Sequence, residues 1–303
     1  MLDKNYEELE KLVEDEKLKD IIGKHLISYW KYLNLRKYCE KDDAIKFFVN
    51  NEKGKVDFVD DVEKRAFQLK GKRVLDIGCG KGGVIISCAL RGANAFGFDT
   101  DEDELKIAKM RVKFYGIDNV LIFKGEGEHI PFPDNSFDLI TATSVLEHVK
   151  NLEMVIKEMV RVTKSGGFCC TTTPNPLFPI EGHYKVFFIP YLPKRLGKIY
   201  LRFRGFNPDF FMKHVTYPYP SVSKIEKIFR ENGMNVENIT EIDILAKFKD
   251  PTSIGAKHIR SVVNVFKKLR LNNFIAKQIV RFYFYPGVYI IAKKGESRKI
   301  TME

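Results

Sequence analysis

The residues best equipped for chemistry gather in one run, Val74-Leu75-Asp76-Ile77-Gly78-Cys79-Gly80-Lys81-Gly82-Gly83. Small residues after an apolar strand let the backbone turn sharply and approach a ligand closely, at the carboxyl end of a sheet where α/β folds bind. Gly78, Gly80 and Gly83 satisfy G-x-G-x-x-G, a pattern that admits a dinucleotide, and Asp99, closing the next apolar strand, suits a ribose in either case. Asp76 argues for a cationic ligand, because a carboxylate at the mouth of the loop repels a pyrophosphate. Cys79 invites a nucleophile reading, yet in such a loop this position presents backbone. His148, His183 and His214 are candidate general bases, since a neutral imidazole accepts a proton near pH 7.

The elements that must position these groups alternate as a parallel sheet with crossover helices requires. Strands are expected at 73–77, 94–98, 120–123, 137–143 and 167–173, with helices at 82–91, 102–115 and 150–163 between them. A helix at 221–232, a strand at 235–243 and a last strand at 287–293 complete a doubly wound α/β core, organised as 71–173 with its end in 221–303. Ahead of it, apolar residues at helical spacing (Leu9, Leu12, Val13, Leu18, Ile21, Ile22, Leu26) predict a helical extension over 5–50, followed by a short helix at 56–69. The unit 1–70 is thus a helical extension or lid.

Two stretches interrupt the alternation. Residues 171–220 hold eight of the chain's twelve prolines and twelve aromatic residues, a composition that forbids long helices and central strands, so 174–220 is an aromatic and basic insertion. A basic helical insertion is expected at 244–285. Residues 251–303 carry eleven Lys/Arg against Glu296 and Glu303, and so supply nine of the chain's net +11 charges. Such a surface favours anionic partners, whether nucleic acid, phosphorylated molecules or an acidic membrane, unless it is simply a solvated face.

At 303 residues, 44% hydrophobic and 30% charged, the chain has the composition of a soluble globular protein with one core and insertions. No run has the roughly 18 apolar residues of a membrane span, and the start Met1-Leu2-Asp3-Lys4 is unlike a signal peptide, so a cytoplasmic location is expected. The five cysteines, Cys39, Cys79, Cys88, Cys169 and Cys170, form no C-x-x-C pair, which argues against disulfides and zinc.

Four motifs in order carry a resemblance: V-L-D-I-G-C-G-K-G-G at 74–83, F-G-F-D at 96–99, G-E-G-E-H-I-P-F-P-D-N-S-F-D-L-I at 125–140 and L-E-H-V at 146–149. The chain resembles class I S-adenosylmethionine-dependent methyltransferases, particularly the branch of the ubiquinone/menaquinone pathways (methyltransferase type 11). The resemblance implies a mostly parallel seven-stranded sheet with helices on both faces, the Rossmann-like methyltransferase fold, and S-adenosyl-L-methionine as cofactor. It implies that Asp76, Gly78, Cys79, Gly80 and Lys81 meet the methionine part, and that Asp99 accepts hydrogen bonds from the ribose hydroxyls. Glu126 and Gly127 fall where the family contacts adenine, although Asp or Asn is commoner at the first, and Thr143 lies beside the methionine carboxylate or amine. Asp76 could instead cap the glycine turn, Asp99 cap the following helix, and Glu126 stand in solvent. His148 sits in the family's E-H pair, at the start of a helix. Metal-assisted relatives carry a glutamate three residues before that pair; Ser144 stands there, so no metal is expected.

Methyl transfer from a sulfonium is an in-line displacement that needs alignment and desolvation, with a base only for a hydroxyl acceptor. Aromatic residues interleaved with basic ones between Tyr184 and Arg204 suit an amphiphilic, small-molecule or lipid-linked acceptor such as an isoprenoid quinone or a lipid-linked sugar, met at an acidic membrane surface. They would also stack on RNA bases. Thr141-Ala-Thr-Ser144 lacks the Asn-Pro-Pro-aromatic signature of nucleobase amino methyltransferases, which makes nucleic acid the second choice. A cofactor-binding regulator without catalysis is a further alternative.

Overall fold

A computed structural model describes residues 11–12, 14–33, 40–181, 184, 186–187, 192–214, 219–249, 257–281 and 287–296. Seven strands form one sheet: β1 (Arg73–Ile77), β2 (Asn94–Asp99), β3 (Val120–Lys124), β4 (Phe137–Thr143), β5 (Thr163–Pro174), β8 (Met234–Asn238) and β9 (Gly287–Lys294). Their order is β3-β2-β1-β4-β5-β9-β8, and only β9 runs antiparallel to its neighbours. The expected doubly wound, mostly parallel seven-stranded sheet is therefore the one found. The strand order reverses between β1 and β4, the point at which such a sheet opens a crevice for ligands.

Helices cover both faces: α3 (Gly83–Leu90), α4 (Glu102–Phe114), α5 (Leu152–Val162) and α8 (Val222–Glu231). Their starts follow from capping chemistry. Asp101 accepts hydrogen bonds from the backbone N–H groups of Asp103 and Glu104, Asn151 from that of Met154, and Ser221 from that of Lys224. One apolar core, around Leu75, Phe137, Ile140, Met159 and Phe229, fills one face of the sheet, and a second, around Val74, Ile85, Ala95 and Leu139, fills the other. Cys88, Cys169 and Cys170 are buried in these layers as free thiols.

The N-terminal part differs from expectation. In place of a helix over 5–50 and another at 56–69, the described residues form α1 (Glu16–Leu33) and one unbroken helix, α2 (Lys41–Arg65). This helix runs through Asn50, Asn51 and Gly54, residues that cost it up to about 1 kcal/mol each. Burial of Phe48, Val56, Val59 and Val62, at about 1.5–3 kcal/mol per side chain, outweighs that cost. Together α1 and α2 build a separate apolar layer with Ile107 of α4 and so lie against the core.

Two excursions leave the sheet. After β5 come the short pair β6 (Ile180–Glu181) and β7 (Val186–Phe187), then α6 (Lys194–Phe203) and α7 (Asp209–His214). After β8 come α9 (Ile239–Lys249), α10 (Lys257–Lys268) and α11 (Asn272–Arg281). The strand expected at 235–243 stops at Asn238, whose side-chain oxygen accepts the N–H of Glu241 and starts α9 there, so the helical excursion begins earlier than 244. Among the described residues, no helix is long and apolar enough to cross a membrane.

Candidate functional site

At the switch point the glycine run becomes a tight loop. Gly78, Gly80 and Gly82 all have positive φ, and a Cβ on Gly78 would come within 2.4 Å of the Val145 side chain. The loop is held from behind: the N–H of Gly80 donates to Asp99 Oδ2 at 2.9 Å, and the N–H of Asp101 donates to Asp99 Oδ1 at 2.9 Å. The cap of α4 is Asp101, so Asp99 orders the loop and does not itself cap that helix. On the β4 side, Ser144 takes φ +57° directly after Thr143, a left-handed geometry that is uncommon away from glycine and concentrates at functional sites.

A cavity of about 220 Å³ opens over the loop. Asp76, Gly78, Cys79, Gly80, Lys81 and Thr143 line it from the sheet side, so six of the residues singled out in the sequence converge there. Its other wall comes from the N-terminal helices: Leu26 of α1, and Phe47, Phe48, Asn51, Glu52 and Lys55 of α2. The sequence reading missed these residues. One signal was present: Glu52 interrupts the apolar stripe Ile45, Phe48, Val56, Val59, where a carboxylate needs a reason to be. It pairs with Arg111 of α4, whose Nη1 donates to the carbonyl of Lys81, so α2, α4 and the loop are tied at one point.

The electrostatics of the cavity are set by burial. Asp76 is fully enclosed, and desolvation pushes its pKa up from 3.8 to about 7, against the hydrogen bond it accepts from Thr141 at 2.6 Å and the attraction of Lys55. Lys55 Nζ in turn donates to Thr143 Oγ1 at 2.5 Å. Acid and ammonium thus share one polar end of the cavity. Burial likewise raises the pKa of Asp99. Glu104 goes the other way: its burial is outweighed by hydrogen bonds from His25, at 2.8 Å, and from Lys81, which hold it at about 2. Burial raises the Cys79 thiol far above its ordinary range, and its side chain lies against Gly97 of β2, so a thiolate nucleophile has no support.

The other singled-out residues lie elsewhere. Gly127 is buried, packed near Val155 and Ile77, while Glu126 is exposed with Lys150 Nζ 3.9 Å away. Both follow Gly125, whose N–H donates to the Asp99 carbonyl, so they continue along the rim next to the loop. Glu147 and His148 stand in a turn rather than at a helix start, because Asn151 delays α5 to Leu152. Glu147 is buried and accepts a hydrogen bond from Thr173. His148, partly buried, donates its backbone N–H to the carbonyl of Val145, the residue packed on Gly78. His214 ends α7, and His183 lies outside the described residues.

Comparison with known proteins gives a consistent set of likenesses. Residues 75–171 match the family model described as a methyltransferase domain. A demethylmenaquinone methyltransferase of Geobacillus kaustophilus is 34% identical over 182 residues, covering 57% of this chain and 75% of that protein. One from Listeria welshimeri is 31% identical over 172 residues, 55% of this chain and 71% of that protein. Among solved structures, the YcgJ protein of Bacillus subtilis shares the fold at a TM-score of 0.50 and 18% identity, over 80% of this chain and 99% of that one. So does a Listeria monocytogenes protein assigned as an S-adenosylmethionine-dependent methyltransferase, with a TM-score of 0.50 at 18% identity over 78% and 97% of the two chains.

Proposed function

Because the chain belongs to the class I S-adenosylmethionine-dependent methyltransferases, in the menaquinone-pathway branch, we propose that its acceptor is a small lipid-like molecule of the isoprenoid-quinone class, methylated on oxygen or ring carbon. That it is a methyltransferase using S-adenosyl-L-methionine follows from the family. The observation that carries the site assignment is the paired Asp76 and Lys55 at one end of the cavity. An amino-acid end bears an ammonium and a carboxylate, and this acid and this base match it charge for charge. Asp76 with the backbone of Gly78, Cys79 and Gly80 would hold the ammonium side, and Lys55 with Thr143 the carboxylate. Lys81 is engaged by Glu104 and contributes through the loop's backbone. Asp99 would hold the ribose, and Glu126 and the N–H of Gly127 the adenine.

The bound cofactor supplies an electrophilic methyl group on a positively charged sulfur. The chain's own contribution is alignment and exclusion of water. The buried β1 and β4 ends hold one side rigidly, and Leu26, Phe47 and Phe48 close the other with apolar surface. A hydroxyl acceptor must also lose a proton. We assign that proton to His148, whose turn is anchored through Val145 to the glycine loop.

The names of the relatives and the aromatic, basic make-up of 184–204 support a quinone-class lipid and an acidic membrane as the place where it is met. The test is methyl transfer from labelled cofactor to fractionated extracts and to a water-soluble short-chain quinol. Label is expected in the lipid fraction and on the quinol; label confined to RNA would overturn the acceptor assignment.

A further inference from the structure

The strongest feature outside the cavity is α6. It carries Leu196, Ile199 and Phe203 at 50%, 63% and 87% exposure, among the most exposed large apolar side chains described. At 100° per residue these three fall within an arc of about 60°. Gly197 and Leu201, the buried residues of the helix, lie on the opposite side. Arg195, Lys198 and Arg202 occupy the sector along one flank of the exposed apolar arc, and no acidic residue occurs anywhere from 184 to 208.

An amphipathic helix that merely caps a core turns its apolar side inward; this one presents a second apolar side outward, with cations beside it. Its place matters too. The excursion leaves β5 at Pro174, the same end of the sheet as the glycine loop, and Leu201 packs with Leu33 of α1, while the N–H of Asn207 donates to the Leu33 carbonyl. The same helix α1 sends Leu26 into the cavity.

We infer that α6 is a membrane-docking helix: Leu196, Ile199 and Phe203 enter the acyl boundary of an anionic phospholipid bilayer while Arg195, Lys198 and Arg202 meet its headgroups. Charge complementarity selects this occupant, since three cations beside an apolar arc match a negatively charged lipid surface, and each contributes about fivefold to affinity near it. The inference deepens the lipid-acceptor reading and rests on it for its purpose: a docked α6 holds the mouth of the site at the surface where such an acceptor resides.

The experiment is cosedimentation of the full chain with vesicles of phosphatidylcholine alone and with about one-third phosphatidylglycerol. The wild-type chain is expected to bind the anionic vesicles, and more weakly at high salt. The variant Leu196→Ser/Ile199→Ser/Phe203→Ser should bind them at least about tenfold more weakly with its cofactor affinity and melting temperature unchanged. A second variant, Lys198→Glu/Arg202→Glu, should weaken binding without touching the apolar arc. Undiminished vesicle binding by both variants overturns the inference, as does a wild type that ignores anionic vesicles; if the triple variant then turns a dimer into a monomer, the arc is an interface between two copies. Activity on the soluble short-chain quinol separates the two readings. That activity should survive in the triple variant, and its absence from the wild type would sink the acceptor assignment while leaving the vesicle result to stand.

Discussion

Asp76→Asn should make the cofactor-free protein more stable at alkaline pH while weakening its hold on the cofactor. The Asp76 carboxyl ionises at 3.8 in an unfolded chain and at about 7 in the fold, where it is fully buried. Because the folded value is the higher one, the carboxyl costs nothing below about 3.8. Stability is then lost as pH rises towards about 7 and stays level beyond. At about 1.4 kcal/mol per tenfold change, the loss approaches roughly 4 kcal/mol. Asparagine keeps an oxygen for the Thr141 hydroxyl but has no charge to desolvate. The difference between variant and wild type in denaturant or thermal melts should therefore grow between about pH 4 and pH 7, then level off at several degrees. Calorimetric titration with S-adenosyl-L-methionine should show the opposite sign, an affinity lower by about 10- to 100-fold, because a buried charge-assisted contact to the ammonium has gone. The reasoning is refuted if the variant melts below wild type at pH 8 with the same pH slope, since the buried carboxylate would then carry no cost.

Three further outcomes are expected. Gly78→Ala combines a left-handed φ of +65° with a Cβ 2.4 Å from Val145, so it should cost about 2 kcal/mol in denaturant melts and abolish tight cofactor binding; adding Val145→Ala should recover part of the stability. Lys55→Met should weaken cofactor binding about tenfold in titration calorimetry, with far less effect on S-adenosyl analogues that lack the carboxylate. Glu104→Gln should flatten the acid limb of the stability curve: the Glu104 contribution is complete above about 4.5 in wild type and drains away as pH falls towards about 2, so wild type and variant should converge in acid melts.

The legible part of this chain is the part whose chemistry is local. A buried strand followed by Gly78, Gly80 and Gly82 can turn and approach a ligand in few ways, and Asp76 and Asp99 lie at the carboxyl ends of two adjacent strands, β1 and β2. Strand and helix alternation then leaves the doubly wound sheet as the arrangement that buries every apolar face. Asp76, Gly78 and Gly80 were visible in this way, while Cys79, Lys81 and Thr143 came from the family resemblance, and the cavity gathers all six. Where local signals were weak, they misled: apolar spacing placed one helix over 5–50 and another at 56–69 where burial holds α2 unbroken over Lys41–Arg65, and the E-H pair suggested a helix start that Asn151 postpones.

The rest was decided in three dimensions. Nothing in the spacing of Asn51, Glu52 and Lys55 relates them to Thr143, 88 residues away from Lys55, because their meeting depends on how α1 and α2 pack over α4. The charge states of the site belong to the same level. Asp76 and Glu104 are both carboxylates near the glycine loop, yet one is driven up to about 7 by burial and the other pulled down to about 2 by His25 and Lys81. Sequence alone determined that residues 74–83 form a tight glycine turn at the end of a buried strand, since glycine conformation and strand periodicity act over a few residues. Only tertiary packing decided that a lysine from the N-terminal helices lines the cavity beside Asp76 and Thr143, because desolvation and ion pairing act through space and follow the fold.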